Sequence, residues 1–216
     1  MALWLVRHGQ SGWNVAGRIQ GQSPDAPGLT PIGCEQAAQA ARELRVRAPR
    51  AGLIVASDLA RAAETAEIIA GRLGLPAEAD PGLREQALGS LEGLRLDDPR
   101  AAETVAAGEP ADKGPDDVLD ELWRHPFHRP PGGESVADMY GRVHGVLDRS
   151  ADQRGEEVII VTHGGPVRVA MVTPPPAPGR PVPREAVANA SITRWVPREP
   201  GRGSPVAGRP GPRAGA

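Results

Sequence analysis

Three short, uninterrupted apolar runs do most to limit how this chain folds. They occupy residues 3–6, 53–56 and 158–161, and each is followed directly by a polar or charged residue. Consecutive apolar positions predict strands that are buried on both faces, rather than strands with one face in water. Strands of this kind belong to parallel sheets that helices cover on both sides.

Helical signals lie in the segments between these runs. Thr30 followed by Pro31 predicts an N-cap and a first turn, and alanines and leucines recur behind them at helical spacing. A second helix is predicted to have Ser57 as its N-cap and to end at Gly74, and a third to cover residues 135–149. This alternation predicts an α/β fold, a three-layer αβα sandwich with a mostly parallel central sheet.

Two stretches lack the pattern of a compact core. Residues 94–132 are polar and rich in proline, which predicts an irregular lid inserted over one end of the sheet. Residues 197–216 consist mostly of Pro, Gly, Arg and Ala, a composition that predicts a disordered tail. We therefore assign residues 1–196 to one folded domain.

The balance of charge and the cysteine content argue against several classes of partner and compartment. Lys and Arg total 25 against 27 acidic residues, and a net charge of -2 does not favour nucleic acid or an anionic membrane surface. Cys34 is the only cysteine, so we expect a small packing residue in a reducing compartment. The first apolar run is far shorter than a signal segment or membrane span, which predicts a cytoplasmic protein.

Basic residues follow the predicted strands where each strand ends. Arg7 and His8 come directly after the first apolar run, His163 follows the last, and Arg61 lies shortly after the middle one. The carboxyl ends of parallel strands meet at one edge of a sheet, where ligands bind in open α/β folds. Taken alone, Arg7 and His8 are equally consistent with a strand that ends at the surface. The convergence of two imidazoles and two guanidiniums, however, predicts a pocket for a phosphate group.

Six short motifs occur in the order in which the histidine phosphatase superfamily has them, and the chain resembles the phosphoglycerate-mutase-like branch of that superfamily. The motifs are Arg7-His8-Gly9 with Asn14, Ser57-Asp58-Leu59 with Arg61, Ala62 and Thr65, Arg84-Glu85 followed by Gly89, Glu92 and Gly93, Gly132-Gly133-Glu134-Ser135, Thr162-His163-Gly164-Gly165, and Asn189-Ala190-Ser191-Ile192. The resemblance covers residues 3–196, and six motifs in one order are far more specific than any single one. It implies the histidine phosphatase fold, with residues 1–196 as the catalytic domain.

The resemblance also implies a covalent mechanism. His8 is the implied nucleophile, which takes the phosphoryl group as a phosphohistidine. Glu85 is the implied proton donor to the leaving alkoxide and the base that activates water in the second step. The competing interpretation of Glu85 is an exposed ion pair with Arg84.

Further implied site residues surround His8 and bind the phosphate. They are Arg7, Ser11, Asn14, Arg61, His163 and Gly164. Three of them, Arg7, Arg61 and His163, also have a catalytic role, because they stabilise negative charge in the transition state. Since arginine and histidine supply the positive charge, the resemblance implies neither a metal ion nor another cofactor.

The chain departs from the family pattern at two places. Ser11 stands where Thr is usual, which keeps the hydroxyl and predicts at most a small change in phosphate contact. Three prolines at residues 174–176 stand where a helix usually continues, and they predict its early end because proline lacks an N–H group. Whether the loop of residues 174–183 reaches the pocket stays open.

Four ring side chains of the lid have more than one interpretation. His125 and His128 have a spacing that a metal site could use, but Pro126 between them and the lack of a further ligand favour ordinary lid residues. Trp123 and Phe127 either anchor the lid or stack on a substrate ring. The sequence favours an anchor.

Three functions compete, and the substrate in the first two is a small-molecule phosphate ester. The first is a phosphatase that hydrolyses a monoester, and the second is a phosphoglycerate mutase-type intramolecular transfer. An acidic lid favours the first, because it would repel bisphosphorylated ligands. Its acids are Asp97, Asp98, Glu103, Glu109, Asp112, Asp116, Asp117, Asp120 and Glu121, against the bases Arg95, Arg100, Lys113, Arg124 and Arg129. The third is an inactive relative that only binds phosphorylated ligands or a protein, and the presence of His8, Arg61 and Glu85 argues against it. A homodimer is the default assembly for a chain of this kind.

Overall fold

The computed structural model describes residues 2–96, 98, 115–152 and 157–197, and every helix and strand named below lies in these ranges. The strands are β1 (Leu3–Arg7), β2 (Ala51–Ala56), β3 (Ala77–Ala79), β4 (Glu157–Thr162) and β5 (Ile192–Trp195). The α-helices are α1 (Gly12–Val15), α2 (Pro31–Arg47), α3 (Ala60–Leu73), α4 (Pro115–Arg124), α5 (Val136–Ala151) and α6 (Gly164–Met171).

The strands form one sheet in the order β3-β2-β4-β1-β5. Three of the four pairings are parallel, and only β5 runs antiparallel to its neighbour β1. In the central pair, Arg7 lies opposite Thr162, so that the residues after the two strands emerge at the same edge and the same level. The predicted mostly parallel sheet is confirmed.

Both faces of the sheet are buried, as the uninterrupted apolar runs predict. Alternate side chains of β1 enter two different cores, because successive residues of a strand point to opposite faces. Leu3 and Leu5 pack in one core with Met139 and Leu147 of α5. The other core contains Trp4, Val6, Leu44 of α2 and Ile69 of α3. The result is the predicted three-layer sandwich, with α2 and α3 on one side and α5 on the other.

The predicted helix ends at Thr30 and Gly74 are confirmed, and the one predicted at Ser57 is wrong. Thr30 caps α2 by accepting a hydrogen bond from the amide of Gly33 at 3.0 Å, and Gly74 ends α3 with a left-handed φ of 72°. Ser57, in contrast, is not the N-cap of α3, because Leu59 holds that position. The Cys34 side chain lies exposed on α2 rather than in the packing.

The lid contains regular structure that its prolines do not predict. Pro115–Arg124 is a helix, so the expectation of an irregular chain over residues 94–132 is wrong there. Val118, Leu122 and Trp123 recur at helical spacing and are all buried, which gives α4 an apolar face. Trp123 therefore anchors the lid, whereas Phe127 is about half exposed. The predictions for residues 97 and 99–114, and for a tail over 198–216, lie outside the described residues.

The segment between α6 and β5 is irregular, as its prolines predict. Helix α6 ends at Met171, and no helix or strand occurs from residue 172 to residue 191. Strands β3 and β5 were not predicted from the sequence. None of the helices in the described part of the chain is long and apolar enough to cross a membrane.

Candidate active site

The register of β1 and β4 brings two distant histidines together. His8 and His163 each follow one of these strands directly, and their ring centroids lie 5.1 Å apart. Both side chains are buried, with exposed fractions of 2% and 0%. Burial on this scale makes an unpartnered ring nitrogen costly, and the partners that are present indicate the state of each ring.

The His8 ring is held in one tautomer. Its Nδ1 lies 2.7 Å from the carbonyl oxygen of Gly9, which only accepts, so Nδ1 carries the hydrogen. The guanidinium of Arg61 donates from Nε to the Nε2 of His8 at 3.3 Å, so Nε2 keeps its lone pair. Burial, then the charges of Arg61 and Arg7, lowers the pKa of His8 well below its usual value. The ring is therefore neutral near pH 7.

Arg61 is fixed by a turn that glycine makes possible. Its Nη2 donates to the carbonyl oxygen of Gly21 at 2.9 Å, and Gly21 has a left-handed φ of 48°. A side chain at Gly21 would collide with the carboxylate of Glu92, which itself accepts from the amides of Gln22 and Leu88. Burial lowers the pKa of Arg61 to about 10, so this guanidinium stays charged at neutral pH.

His163 and Arg7 each present a buried nitrogen that has no hydrogen-bond partner among the described residues. These atoms are the Nδ1 of His163 and the Nε of Arg7. The other ring nitrogen of His163, Nε2, lies 2.8 Å from the hydroxyl of Ser57, and the Nη1 of Arg7 donates to the carbonyl oxygen of Val187. Unpartnered buried polar atoms are costly, and at this sheet edge they are suited to meet ligand oxygens.

The Glu85 carboxylate belongs to the same site. It accepts from the amide of Gly165 at 3.1 Å and from the amide of Gln86 at 2.9 Å. Arg84 pairs instead with Asp58, at 2.6 Å from its Nε, so the alternative of an exposed Arg84–Glu85 pair is wrong. The backbone carbonyl of Glu85 accepts from the Nη2 of Arg142 at 2.8 Å, which fixes the turn that carries the carboxylate.

These groups enclose a cavity of about 180 Å³. Its floor, as we call it, consists of Arg7, His8 and Arg61 and of the fully buried His163, which lies behind them and does not line the cavity. Its wall, on the side of α4 and the proline-rich segment, consists of Trp123, Arg168 and Arg184. The remaining lining residues are Arg18, Ile19, Gln20, Gly21, Glu85, Gln86, Leu88, Leu96, Leu119, Gly164 and Gly165.

A family model decides where this chain belongs. The model described as Histidine phosphatase superfamily (branch 1) matches residues 3–204, which is nearly the whole chain. The chain is a histidine phosphatase superfamily member. The resemblance found in the sequence is thereby confirmed, and members of this superfamily are phosphatases or mutases.

The relatives of this superfamily member include both phosphoglycerate mutases and a phosphatase. A 2,3-bisphosphoglycerate-dependent phosphoglycerate mutase of Methylobacterium sp. (strain 4-46) is 37% identical over 180 residues, covering 79% of this chain and 78% of the relative. A probable phosphoglycerate mutase GpmB of Yersinia pestis is 35% identical over 201 residues, covering 90% and 84%. A solved mycobacterial glucosyl-3-phosphoglycerate phosphatase, in complex with VO3, is 31% identical with a TM-score of 0.72, covering 89% and 90%.

Three of the sequence-predicted phosphate ligands do not line the cavity: His163 lies behind the floor, and Ser11 and Asn14 lie to the side. Ser11 is buried and caps α1, where its hydroxyl accepts from the amide of Asn14 at 3.3 Å. The Oδ1 of Asn14 accepts from the amide of Ser11 at 3.0 Å and from the Nδ2 of Asn189 at 3.2 Å. In this superfamily member both side chains therefore hold the loop after β1, and their contact with phosphate stays a prediction.

Other motif residues fix the backbone around His8. The amide of Gly9 donates to the hydroxyl of Thr65 at 3.1 Å. The carbonyl oxygen of His8 accepts from the Nδ2 of Asn189 and from the amide of Ala190, both at 3.1 Å. Thr65 and the motif at 189–192 thus position the nucleophile candidate without lining the cavity.

Sequence reasoning missed Arg142 and Arg168. Arg142 binds the Glu134 carboxylate and three backbone carbonyls of residues 82–85. Arg168 lines the cavity from α6, one turn after His163. The spacing from Gly164 was the available signal for Arg168, since residues four apart on a helix lie on the same face. His125 and His128 are exposed and stack on each other away from the lining residues.

Proposed function

We propose that this chain is a phosphatase that hydrolyses a small-molecule phosphate monoester through a phosphohistidine on His8. The observation that carries the proposal is the state of the His8 ring, whose Nε2 keeps its lone pair beside the charged Arg61. A neutral imidazole with its other nitrogen held by an acceptor is the form that attacks phosphorus. No metal ion takes part in the proposed steps, which use the guanidiniums and imidazoles of the site.

In the first step the Nε2 of His8 attacks phosphorus, and the bond between phosphorus and the ester oxygen breaks. Arg7 and Arg61 stabilise the charge on the equatorial oxygens, and Arg61 shifts its Nε donor from the imidazole to the phosphoryl group. The unpartnered Nε of Arg7 and Nδ1 of His163 support this arrangement, because phosphoryl oxygens would satisfy both atoms. The amide of Gly164, at the start of α6, is a further donor to the anion.

The departing alkoxide takes a proton from the Glu85 carboxyl group. In the second step the Glu85 carboxylate accepts a proton from water, which attacks the phosphohistidine and releases inorganic phosphate. The position of Glu85 supports both roles, since it lines the cavity with His8 and its backbone is held by Arg142.

The size of the cavity supports a small ester as the substrate. A volume of about 180 Å³ is below the range of roughly 300–1,000 Å³ that drug-sized ligands occupy. The acidic lid is weaker support than the sequence alone indicates. Asp120 pairs with Arg184 at 2.7 Å and Glu121 with Arg124 at 2.9 Å, so these acids contribute little net charge.

A phosphoglycerate mutase-type transfer is the second candidate, favoured by the names of the curated relatives. A mutase returns the phosphoryl group to another hydroxyl of a bound acid, whereas a phosphatase gives it to water. The same His8 and Glu85 serve both reactions, so the fate of the phosphohistidine separates them.

The test uses the full chain and its His8→Ala variant. Each is incubated with para-nitrophenyl phosphate, glycerol 3-phosphate and 3-phosphoglycerate, and inorganic phosphate is measured. A second arm follows the interconversion of 3- and 2-phosphoglycerate with and without 2,3-bisphosphoglycerate. We expect phosphate release that falls by a factor on the order of 10³ or more in the variant. Phosphate release unaffected by His8→Ala, or interconversion that depends on the bisphosphate and outpaces hydrolysis, would overturn the proposal.

A further inference from the structure

Ser57 meets His163 because β2 and β4 are neighbouring strands of the sheet. Ala56, the last residue of β2, lies opposite Val161, and the amide of Ser57 donates to the carbonyl oxygen of Val161 at 2.9 Å. The side chains of Ser57 and His163 are both fully buried, so their polar atoms depend on partners inside the protein. The hydroxyl of Ser57 and the Nε2 of His163, 2.8 Å apart, are such partners.

The surroundings of the Ser57 hydroxyl decide which of these two atoms donates. A serine hydroxyl has one hydrogen and two lone pairs. One lone pair of Ser57 accepts from the amide of Leu59 at 3.3 Å, and the hydroxyl has no hydrogen-bond acceptor other than the Nε2 of His163 among the residues that the structure describes. If the ring donated from Nε2 instead, the hydroxyl hydrogen would be buried without an acceptor, which is costly. The arrangement that avoids this cost has Ser57 as the donor.

The His163 ring then carries its single hydrogen on Nδ1. Burial, followed by the charge of Arg61, lowers the pKa of His163 well below 6.5, so the ring is neutral at pH 7 and has one N–H group. Because Nε2 accepts from Ser57, this N–H group is at Nδ1. His163 occupies the N-cap position of α6, but its side chain makes no cap hydrogen bond there. The ring thus presents a buried donor that nothing in the described part of the chain accepts.

The two neighbouring imidazoles therefore present opposite groups. The carbonyl oxygen of Gly9 accepts from the Nδ1 of His8, which leaves a lone pair on Nε2. The hydroxyl of Ser57 donates to the Nε2 of His163, which leaves an N–H group on Nδ1. The ring centroids lie 5.1 Å apart, so a phosphoryl group carried by His8 is within reach of the His163 ring. A lone pair on that ring would repel the phosphoryl oxygens, whereas an N–H group donates to them.

We propose that Ser57 is a positioning residue that acts through His163: its hydroxyl fixes the hydrogen of that ring on Nδ1 and so makes the ring a donor to the phosphoryl group. The role toward the phosphoryl group rests on the proposed function, whereas the position of the hydrogen does not. Ser57 itself does not line the cavity and needs no contact with the ester. Its removal should weaken the binding of an anion by changing the His163 ring.

Nitrogen-15 NMR of the histidine rings shows where the hydrogen lies, because the chemical shift of an imidazole nitrogen differs widely between its protonated and unprotonated forms. Comparison with His163→Ala identifies the signals of this ring. In the wild-type protein at pH 7.5 we expect a protonated Nδ1 and an unprotonated Nε2. Ser57→Ala should give a mixture of the two tautomers, and Ser57→Thr, which keeps the hydroxyl, should keep the wild-type pattern. A protonated Nε2 in the wild-type protein, or an unchanged tautomer in Ser57→Ala, would overturn the proposal.

A double-mutant cycle shows whether Ser57 acts through His163. Calorimetric titration measures the affinity of the wild-type protein, Ser57→Ala, His163→Ala and the double variant for sulfate, whose oxygens only accept hydrogen bonds at this pH. We expect Ser57→Ala to weaken binding roughly three- to tenfold, because only the fraction of rings with hydrogen on Nδ1 can donate. The same substitution should cause no further loss once His163 is replaced. Equal losses in both backgrounds would reveal a purely structural role and refute the proposal.

Ser150→Ala is the matched control, since Ser150 is a buried serine of α5 that does not line the cavity. It should keep the wild-type tautomer of His163 and the wild-type affinity for sulfate. Neither measurement requires turnover, which separates this proposal from the proposed function. If the tautomer and sulfate binding follow Ser57 while no ester is hydrolysed, the phosphatase fails and the role of Ser57 stands. If esters are hydrolysed while His163 carries its hydrogen on Nε2, the role of Ser57 fails and the phosphatase stands.

Discussion

The floor and the wall of the cavity are built in different ways. Arg7, His8 and His163 come directly from the ends of β1 and β4, and the sheet register fixes their backbone. Trp123, Arg168 and Arg184 come from a lid helix, a short helix and a segment without regular structure. The wall is joined mainly by contacts between these pieces, such as the amide of Val182 donating to the carbonyl oxygen of Trp123 at 2.9 Å.

We expect this difference to separate the residues that carry out the reaction from those that select the substrate. A floor set by central strands keeps its geometry when side chains elsewhere change, because buried sheet pairing dominates it. A wall set by loops varies at small cost to the fold. We therefore expect substitutions that disturb the floor to affect every substrate, and substitutions in the wall to affect the choice among them.

The largest expected effect comes from Gly165→Ala, which displaces the Glu85 carboxylate from its position in the cavity lining next to the floor. A methyl group at residue 165 would lie 2.1 Å from the Oε1 of Glu85. Because that carboxylate ends a flexible side chain, it moves aside while the fold persists. We expect kcat to fall by roughly 10²- to 10⁴-fold on all substrates, the usual contribution of a general acid–base group. Steady-state kinetics on three esters measures the loss.

The control for this substitution is Gly71→Ala in the interior of α3. A methyl group there meets nothing within 4 Å. It should leave kcat unchanged and raise the free energy of unfolding by roughly 0.5–1 kcal/mol, since alanine favours helix over glycine. Full activity of Gly165→Ala would show that the carboxylate of Glu85 need not stand where the structure has it.

A smaller effect is expected on stability when the pH is lowered, because the floor contains two buried histidines. Burial, then the charge of Arg61, lowers the pKa of both His8 and His163 well below 6.5. The unfolded chain binds these protons with a pKa near 6.5, so the stabilisation is complete above that pH and is lost as the pH falls below it. From pH 7.5 to 5.5 each ring should lower the free energy of unfolding by on the order of 1 kcal/mol.

Urea unfolding at the two pH values measures this dependence. His8→Asn should weaken it, because one of the two buried imidazoles is gone. His128→Asn should keep the wild-type dependence, since that ring is exposed on the lid. Identical pH dependence in all three proteins would mean that the floor rings titrate normally.

The smallest expected effect belongs to the wall. Asp120→Asn breaks the ion pair with Arg184, whose side chains are 41% and 24% exposed. Such partly exposed pairs contribute at most about 1 kcal/mol, so the melting temperature should change little. Arg184, released from the ion pair, should raise the affinity for esters whose alcohol part is negatively charged more than for esters whose alcohol part is neutral. Substrate competition assays measure the two affinities. A loss of kcat as large as that of Gly165→Ala would erase the distinction between floor and wall.

The sequence was informative where local signals and sheet geometry coincide. The apolar runs predict parallel strands, and parallel strands end at one edge of the sheet. The sequence therefore predicted that Arg7, His8 and His163 lie close together. Ser57 was wrongly predicted to be a helix N-cap, because cap preference is a local rule. Its hydroxyl instead contacts His163, which is 106 residues away in the sequence. Arg168 was missed although it lies four residues after Gly164 on α6, because its hydrogen bond to the carbonyl oxygen of Glu185 in the irregular segment has no local signal.

The pairing of Arg7 with Thr162 ties catalytic competence to correct folding. If β1 slipped by one residue against β4, every side chain of the strand would exchange faces, and the two imidazoles would no longer be adjacent. Turnover regained after dilution from denaturant would then count only molecules whose central strands had aligned natively. Enzyme activity in this protein is thus an assay for strand alignment as well as for chemistry.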